Sequence, residues 1–406
     1  MPTIPKDLPP FDIERQATIV AGEPGRGREA EDDGTAPGMG RPLMGIGVRR
    51  ADGTKARFGT DVFLHRRSRP VPLDAVKTEA GHRPGRCIYG GVIGPGFGHL
   101  LTQSIGRLWL CDLFPEAPVL FVSSRRGLTV VPDYFVQVLR QLGIGNPVEL
   151  VCQPLRVEEL VVGEELCNLH RRPSVMPQFP AWLRAHRPAT PAEPGLQLYV
   201  SRARLGLANG QFLQEADLEA FLQSQGYRII HPETLSMADQ MRAYGSAEKL
   251  VFADGSAVHL WSLIARPEQQ AAMILRRPLD SHIARWFQGL PDVKLDYLDT
   301  RIADFSRRGG PSNTSVALLD LQALCAALRR LGFLATDAAI GPPRPVLETW
   351  LARMERGRSP LRSAPPELDE RSRQLIRRRP GVKSSASPAE TAAETPQSGD
   401  PPQLSP

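Results

Sequence analysis

The stretch KLVFADGSAVHLWSLIARPEQQAAMILRR, residues 249–277, decides the fold class of this chain. It opens with a short apolar strand pattern, turns through Gly255 and Ser256, continues as an apolar helix pattern, and returns to a strand pattern over residues 271–277. A strand, a helix and a second strand in this order predict a βαβ unit, in which the two strands run parallel.

The same alternation precedes this stretch. Strand patterns lie at 196–202 and 227–232, and helix patterns follow them at 214–226 and 236–247, the second with Ser236 as a suitable N-cap. Repeated strand–helix pairs indicate a parallel sheet with helices on both faces, which is a Rossmann-like arrangement.

The first half of the chain carries a second, weaker series of the same kind. Strands are predicted at 86–94 and 117–123, and helices at 99–112 and 132–143. A proline-rich segment at 171–195, typical of a linker, separates the two series. We therefore predict an α/β protein of two Rossmann-like lobes whose parallel sheets face a cleft.

The predicted division of the chain follows from these patterns and from composition. Proline, glycine and charged residues dominate both ends, which predicts disordered termini, and two amphipathic helices are predicted near the C-terminal end, at 315–333 and 345–358. The predicted regions are a disordered N-terminal extension at 1–40, an N-terminal α/β lobe at 41–185, a C-terminal Rossmann-like lobe at 186–300, a helical extension at 301–358 and a disordered tail at 359–406.

Composition restricts the partners. With 406 residues, 41% of them hydrophobic, the chain is long enough for two domains, and its modest net charge of +6 favours anionic small ligands. Basic and aromatic residues are not interleaved, so no nucleic-acid partner is expected. The five cysteines form no CxxC pair, which argues against a zinc site or a disulfide framework and favours free thiols in a reducing compartment.

The sequence also bears on location. Its N-terminus lacks a signal-peptide pattern, and none of its apolar runs is long enough to span a bilayer. We therefore expect a cytoplasmic protein. The basic run at 377–380 leaves peripheral association with the inner face of a membrane open, although a solvated charge run is the simpler interpretation.

The segment GFGHLLTQSIGRLWL, residues 96–110, follows the first predicted strand. Its glycines make a tight turn at a predicted helix start, where backbone N–H groups attract anions. The spacing departs from the dinucleotide fingerprint GxGxxG, because His99 stands where the last glycine belongs. Together with SSRR at 123–126, whose arginines suit the 2′-phosphate of NADP, this turn keeps an NADP-dependent oxidoreductase as an alternative.

Three polar residues in this segment, His99, Gln103 and Arg107, recur every fourth position. On a continuous helix they lie within about 80° of one another, and we predict that they face the cleft while apolar residues pack on the sheet. An ordinary solvent-exposed helix face is the alternative. A histidine in the first turn would serve as a base near neutral pH.

A further candidate site lies at a strand end in the C-terminal lobe, which is where ligands bind in open parallel sheets. Asp254 ends a predicted strand, Gly255 and Ser256 form the turn before a helix, and His259 lies one turn inside that helix. Small residues at such a turn let the backbone come close to a phosphate, although many turns of this kind bind nothing.

Arg202 and Arg204 lie at the end of the strand predicted at 196–202. Arginine is the natural partner of a phosphate, and a surface salt bridge is the alternative. The chain has no DxD, HExxH, GxSxG or GxxxxGK[ST] pattern, which disfavours a metal-held diphosphate and P-loop chemistry.

These segments, in this order and at this spacing, resemble glycosyltransferase family 61, whose bacterial members are often labelled capsular polysaccharide biosynthesis proteins. The resemblance extends over roughly residues 85–290 and rests on GFGHLLTQSIGRLW, YVSRARLG and HPETLSMADQMRAYGSAEKLVFADGSAVHLWSLI. The matching positions are Gly98, His99, Ser201, Arg202, Pro232, Glu233, Gln240, Gly255, Ser256 and His259.

The resemblance implies a GT-B-like fold, with the acceptor on the N-terminal lobe and a nucleotide-sugar donor on the C-terminal lobe. It also implies a glycan or other hydroxyl acceptor, inversion at the anomeric carbon, and neither a cofactor nor a metal ion. Glu233 would bind the ribose hydroxyls of the donor. With Arg204, which is predicted from its place after a strand, the predicted donor-binding and phosphate-binding residues are Arg202, Arg204, Glu233, Gln240, Gly255, Ser256 and His259.

On the acceptor side, the matched residues Gly98 and His99 join Gln103 and Arg107, whose spacing predicts that they face the cleft. His99 would remove the proton of the acceptor hydroxyl, with Asp254 as the second candidate for that role. Family members typically carry a glutamate where this chain has Gln103. This departure keeps a third alternative open, a non-catalytic protein with a glycosyltransferase-like fold.

Overall fold

The computed structural model describes residues 8–21, 23–24, 43–44, 46–59, 62–63, 66–67, 80–94, 96–123, 128–206, 209–307, 314–340 and 358–360. In chain order the strands are β1 (Phe11–Val20), β2 (Glu23–Pro24), β3 (Leu43–Met44), β4 (Gly47–Arg49), β5 (Val62–Phe63), β6 (Arg66–Arg67), β7 (Gly81–Ile93), β8 (Val119–Ser123), β9 (Val148–Val151), β10 (Leu155–Gly163), β11 (Gln197–Val200), β12 (Arg228–Ile230), β13 (Lys249–Ala253), β14 (Gln270–Ile274), β15 (Asp296–Leu298), β16 (Arg301–Arg307), β17 (Val316–Leu319) and β18 (Arg358–Pro360). The α-helices are α1 (Phe97–Gln103), α2 (Asp133–Gln141), α3 (Gln178–His186), α4 (Glu215–Ser224), α5 (Met237–Ser246), α6 (Ala257–Ile264), α7 (Ser281–Gln288) and α8 (Leu321–Arg330). No helix in these ranges has the length and apolar character that spanning a bilayer requires.

A six-stranded sheet forms the first half of the fold, in the order β4-β1-β10-β7-β8-β9. Strands β7, β8, β9 and β10 run parallel, whereas β1 is antiparallel to both β10 and β4. The sheet is therefore mixed, with a parallel part that contains the strands predicted at 86–94 and 117–123.

Strand β1 corrects the prediction that residues 1–40 are disordered. Residues 11–20 form a strand that pairs with β10 along most of its length. The four residues at its C-terminal end are buried, so this strand contributes to the apolar core on one face of the sheet. The surrounding prolines and glycines dominate the composition of the region and obscure this apolar run. Residues 1–7 and 25–40 lie outside the described ranges.

The second sheet is parallel throughout, in the order β12-β11-β13-β14-β15. It confirms the strand–helix alternation predicted between residues 196 and 277, and Ser236 caps α5 by accepting a hydrogen bond from the backbone N–H of Asp239 at 3.1 Å. Because β12 lies on one side of β11 and β13 on the other, the winding of the chain reverses there. In open α/β sheets such a reversal creates a ligand-binding crevice at the carboxyl ends of the strands.

The helix predicted at 315–333 is wrong in its first part. Strand β17 covers the start of this range, is fully buried and runs antiparallel to β16. Helix α8 begins only after Asp320, whose carboxylate accepts a hydrogen bond from the backbone N–H of Ala323 at 2.9 Å. A short apolar run fits a buried strand as well as a helix, and the N-cap residue marks where the helix starts.

The remaining C-terminal predictions fall almost entirely outside the described residues. The helix predicted at 345–358 is described only at Arg358, which begins β18, so that position is a strand residue rather than a helical one. The tail predicted at 359–406 is described only at residues 359–360, which belong to the same strand. Strand β18 pairs antiparallel with β16.

One apolar core joins the two sheets. Helix α1 packs against α6 and α2 against α5, so that Leu100 and Leu101 share a cluster with Leu260 and Trp261. Alternate residues of the parallel strands point to the opposite face, as strand geometry requires, where α4 packs with α8 and β17. The α/β class is thereby confirmed, while the GT-B-like arrangement of two facing lobes and the domain boundaries stay predictions.

Candidate active site

The candidate site lies where the winding of the parallel sheet reverses. Strand β11 ends at Val200 and β13 at Ala253, so the two segments that follow these strands meet at the same edge of the sheet. A cavity of about 420 Å³ opens at this edge. Its lining residues are Phe97, Arg202, Leu205, Asn209, Asp254, Gly255, Ser256, His259, Arg276, Arg277, Ile283 and Thr314.

The first turn of α1 closes one side of this cavity. A Cβ atom added to Gly98 would lie 3.0 Å from the Oγ atom of Ser256 and 3.2 Å from the Cδ2 atom of His259. The absence of a side chain at Gly98 therefore lets the starts of α1 and α6 come into contact. Since His99 is the next residue, the structure brings the predicted acceptor side next to the predicted glycine–serine turn.

Arg202 is held by backbone carbonyl groups at the cavity wall. Its Nε atom donates to the carbonyl oxygen of Gly210 at 2.9 Å, and its Nη2 atom donates to that of Asn209 at 2.6 Å. The Nη1 atom lies against Gly255, where an added Cβ atom would be only 2.5 Å away. Burial lowers the pKa of Arg202 from its ordinary value, but a guanidinium group still carries its charge near neutral pH.

The loop that carries Arg202 is anchored by Glu215, a buried residue that sequence reasoning missed. Its Oε1 atom accepts hydrogen bonds from the backbone N–H of Arg202 at 2.6 Å and from the Oγ atom of Ser201 at 3.1 Å, and its Oε2 atom accepts one from the N–H of Phe212 at 3.1 Å. Burial raises the pKa of Glu215. The only sequence signal for this role is an acidic residue in the first turn of α4.

Asp254 is the centre of a buried charge cluster. Its Oδ2 atom lies 3.2 Å from the Nε atom of Arg277, and Arg276 donates through Nε to the Asp254 carbonyl oxygen and through Nη1 to that of Ser315, both at 2.9 Å. Burial acts to raise the pKa of Asp254, but the neighbouring arginines outweigh it and the pKa lies below its ordinary value. The ion pair with Arg277 holds the Asp254 carboxylate within this cluster of arginines.

Arg276 and Arg277 are cavity residues that sequence reasoning also missed. They follow β14 after one intervening residue, Leu275, at the same carboxyl edge of the sheet as the predicted residues, so the arginine pair near a strand end was the available signal. Burial lowers the pKa of Arg276 to about 9, which keeps it charged near neutral pH. The lining residues of the cavity thus include three guanidinium groups and one carboxylate.

His259 lines the cavity as a neutral imidazole. The residue is 5% exposed, and its Nδ1 atom has no hydrogen-bond partner among the described residues. Burial lowers the pKa of His259 to about 4, and the nearby charges of His99 and Arg277 add to this effect. The cavity therefore contains a buried polar atom that a ligand is able to satisfy.

The helix predicted at 99–112 is interrupted. Helix α1 ends at Gln103, and a 3₁₀ helix follows only at Leu108–Asp112. Between them Gly106 packs directly on the backbone of Cys167. A Cβ atom added to Gly106 would lie only 2.5 Å from the Cys167 carbonyl oxygen. The fourfold spacing therefore does not place the three polar residues on one helix face.

Arg107 is accordingly a structural residue, and the prediction that it faces the cleft is wrong. It is 1% exposed, donates through Nε to the carbonyl oxygen of Gly163 at 3.2 Å, and forms a buried ion pair with Glu165 at 3.5 Å. Gln103 is also buried, and its Nε2 atom lies 3.3 Å from the Nδ1 atom of His99.

Three other predicted donor residues do not line the cavity. Arg204 and Glu233 are exposed. Gln240 is buried, and its Nε2 atom donates to the carbonyl oxygens of Pro232 at 2.8 Å and Leu235 at 3.2 Å, so it holds the loop before α5. In the part of the chain that the structure describes, no group of three or more His, Cys, Asp or Glu side chains is arranged to hold a metal ion.

Residues 97–272 match the glycosyltransferase 61 family model. This part of the chain is a glycosyltransferase family 61 domain. The match begins with α1 and ends within β14, so it contains both helix starts at the cavity and Arg202, whereas Arg276 and Arg277 follow it. The resemblance inferred from the sequence is thereby confirmed, and a glycosyltransferase of this family binds a sugar donor and an acceptor. A comparison with curated proteins found no match.

Proposed function

We propose that the cavity holds a nucleotide sugar by its diphosphate and that the enzyme transfers the sugar to a hydroxyl group of a glycan or other acceptor. The main support for this proposal is the positive charge of the cavity lining. Three guanidinium groups, one carboxylate and the start of α6 surround the cavity. A guanidinium group offers paired N–H donors that suit phosphate oxygens. A helix start favours an anion for the same electrostatic reason.

In this proposal Arg202 and the turn at Gly255–Ser256 bind the two phosphate groups. Arg202 is fixed by two backbone carbonyl groups, so its free energy of reorganisation during the reaction is small. Charge that is already in place stabilises the leaving nucleoside diphosphate more than it stabilises the bound donor. Because the arginines supply this positive charge, we propose that transfer needs no metal ion.

We further propose that transfer is a single displacement with inversion at the anomeric carbon. The acceptor would enter from the side of α1, where His99 lies next to the contact between Gly98 and Ser256. Neutral His259 suits a hydrogen bond to a sugar hydroxyl rather than a charge pair with a phosphate, because burial disfavours its protonation.

The NADP-dependent alternative has less support. Gly98, in the turn that would approach the dinucleotide, instead packs against Ser256 and His259. The arginines that would suit a 2′-phosphate, residues 125–126, lie outside the described residues. The family match also favours a transferase.

The test is a panel of UDP-, GDP-, CMP- and ADP-sugars beside NADPH, measured by thermal unfolding and by release of free nucleotide. One class of nucleotide sugar should raise the melting temperature and be turned over. Arg202→Ala should lower the rate of release by about 10²–10³-fold, the usual effect of removing one preorganised donor. The control is Arg228→Ala, which removes an exposed arginine on β12. Stabilisation by NADPH alone, or full turnover by Arg202→Ala, contradicts the proposal.

A further inference from the structure

The segment 209–214, which precedes α4, contacts two arginines of the cavity lining. Arg202 donates through its Nε atom to the carbonyl oxygen of Gly210 at 2.9 Å. A Cβ atom added to Gly210 would clash with the Nη1 atom of Arg276 and would lie 2.6 Å from the carbonyl oxygen of Ser315. The backbone of Gly210 therefore contacts both guanidinium groups, and a larger residue at this position would push it away from Arg276.

Arg276 connects this segment to the turn that follows β13. Its Nε atom donates to the carbonyl oxygen of Asp254 and its Nη1 atom donates to that of Ser315, both at 2.9 Å. The residue is 2% exposed, so these bonds are shielded from water. Because Asp254 directly precedes Gly255–Ser256, the side chain of Arg276 joins the two parts of the site that are proposed to bind phosphate, that turn and the loop of Arg202.

Strand β17 holds the other end of the segment 209–214. The backbone N–H of Leu213 donates to the carbonyl oxygen of Ala317 at 2.8 Å, and the N–H of Ala317 donates to the carbonyl oxygen of Gln211 at 3.0 Å. The buried side chain of Gln214 donates through Nε2 to the carbonyl oxygen of Leu319 at 2.7 Å and accepts from its N–H through Oε1 at 3.0 Å. The loop that holds Arg202 is thus fixed to β17 by backbone and side-chain hydrogen bonds.

Residues that follow the matched segment 97–272 complete the wall of the cavity. Four of its lining residues lie there, Arg276, Arg277, Ile283 and Thr314. Ser315, the next residue along the chain, is fully buried and leads directly into β17. The site therefore depends on β17 as well as on the strands of the parallel sheet, and Arg276 is the side chain that links β17 to the cavity.

We propose that Arg276 is a positioning residue for sugar transfer, which holds the loop of Arg202 against the turn at Gly255–Ser256; this inference rests on the function proposed above. Two of its donors are used by backbone carbonyl groups, so its contribution is the placement of Arg202 more than its own charge. Charge that is fixed in place stabilises the leaving nucleoside diphosphate. A displacement of about 1 Å is enough to lower the rate of such a reaction by about 10²-fold.

Arg276→Lys separates placement from charge, because lysine stays positive but has only one nitrogen atom in place of the planar guanidinium group. The full-length protein is tested with each nucleotide sugar of the panel that the wild type turns over. Calorimetry gives the donor affinity and counts the binding sites, and nucleotide release gives kcat per site. For Arg276→Lys, kcat and kcat/KM of the donor should both fall by about 10²-fold, with the donor affinity unchanged. Arg228→Lys, the same change at an exposed position on β12, is the control.

Gly210→Ala tests the same contact without changing an arginine, and Gly206→Ala is its matched control. The two glycines have φ angles of +74° and +77°, so alanine causes similar backbone strain at both positions. Only at Gly210 does the added methyl group meet Arg276 and Ser315; among the described residues, no atom lies within 4 Å of a Cβ atom added to Gly206. Gly210→Ala should therefore lower kcat per site by about 10²-fold, and Gly206→Ala should keep the wild-type value.

The outcomes separate this inference from the proposed function. A wild-type kcat per site in Arg276→Lys overturns the positioning role and identifies charge as the contribution of Arg276. Equal kcat per site in Gly210→Ala and Gly206→Ala also overturns it. Loss of binding sites with an unchanged kcat per site indicates a purely structural role and has the same consequence. A wild type that binds and turns over no nucleotide sugar overturns the proposed function together with this inference.

Discussion

Acidification should lower the free energy of unfolding, and the buried imidazole of His259 should account for part of this loss. Burial and two neighbouring positive charges lower its pKa from 6.5 to about 4 in the folded chain. In the unfolded chain the ring is in water and its pKa returns to the ordinary value. Between these two pKa values the unfolded chain binds more protons than the folded chain, so the free energy of unfolding falls as the pH falls through this window.

The magnitude follows from the difference between the two pKa values of His259. Each pH unit of difference corresponds to about 1.4 kcal/mol, so the full effect is about 3 kcal/mol and is complete only below the folded pKa. Between pH 7 and pH 5 this single group should remove about 2 kcal/mol of the free energy of unfolding. That loss is a large fraction of the roughly 5–15 kcal/mol that stabilises a typical domain.

The assay is urea unfolding of wild type and His259→Gln at pH 7 and pH 5, followed by circular dichroism. Other titrating groups contribute equally to both proteins, so the difference between their pH dependences isolates His259. The wild type should lose about 2 kcal/mol more than the variant over this range. His82→Gln, at an exposed position, should behave as the wild type. Equal pH dependence of wild type and His259→Gln would refute the argument that this ring is buried and neutral.

Two further predictions test the packing that positions the site. Gly106→Ala places a methyl group 2.5 Å from the carbonyl oxygen of Cys167, so it should lower the free energy of unfolding by about 1–3 kcal/mol. The control is Gly145→Ala, which has open space around the added methyl group and should leave this free energy unchanged. Equal stability of the two variants in urea unfolding would contradict the close packing of Gly106. Leu324→Ala removes a side chain that is 1% exposed in the core between α8 and the parallel sheet and should cost about 2–5 kcal/mol. The exposed Gln322→Ala is its control, and a melting temperature unchanged by Leu324→Ala would contradict the packing of Leu324 in this core.

The parallel sheet was predictable because its signal is local. Strands that are buried on both faces appear as short apolar runs, and the helices between them begin and end at recognisable residues. Ser236 and the turn at Gly255–Ser256 are signals of this kind, and the structure has the expected elements there. The family match covers the same segments.

The errors arose where the deciding contact is distant in the sequence. Strand β1 exists because it pairs with β10, which lies far along the chain. Strand β17 has an apolar run that is equally compatible with a helix, and its pairing with β16 decides between them. Helix α1 stops before Gly106, where the chain packs on Cys167, and no periodicity argument contains that contact.

The candidate site was predicted only in part, because some of its contacts join residues that are distant in the sequence. Arg202 and Ser256 each follow a strand of the parallel sheet and meet at one of its edges. The segment that carries His99 follows β7 of the other sheet and comes close to them through the contact of Gly98 with Ser256. Arg276 and Arg277 lie at the same edge of the parallel sheet, but a pair of arginines has no motif to distinguish it from a surface pair.

The hydrogen bond from Arg276 to the carbonyl oxygen of Ser315 has a consequence for protein production. A fragment trimmed to the matched segment, residues 97–272, would be cut inside β14 and would lose β15, α8 and both arginines of the cluster around Asp254. Its exposed apolar surface would favour aggregation, and its failure to turn over a substrate would say nothing about the enzyme. Expression for crystallography or kinetics should therefore include β15, β16, β17 and α8, which all follow the matched segment.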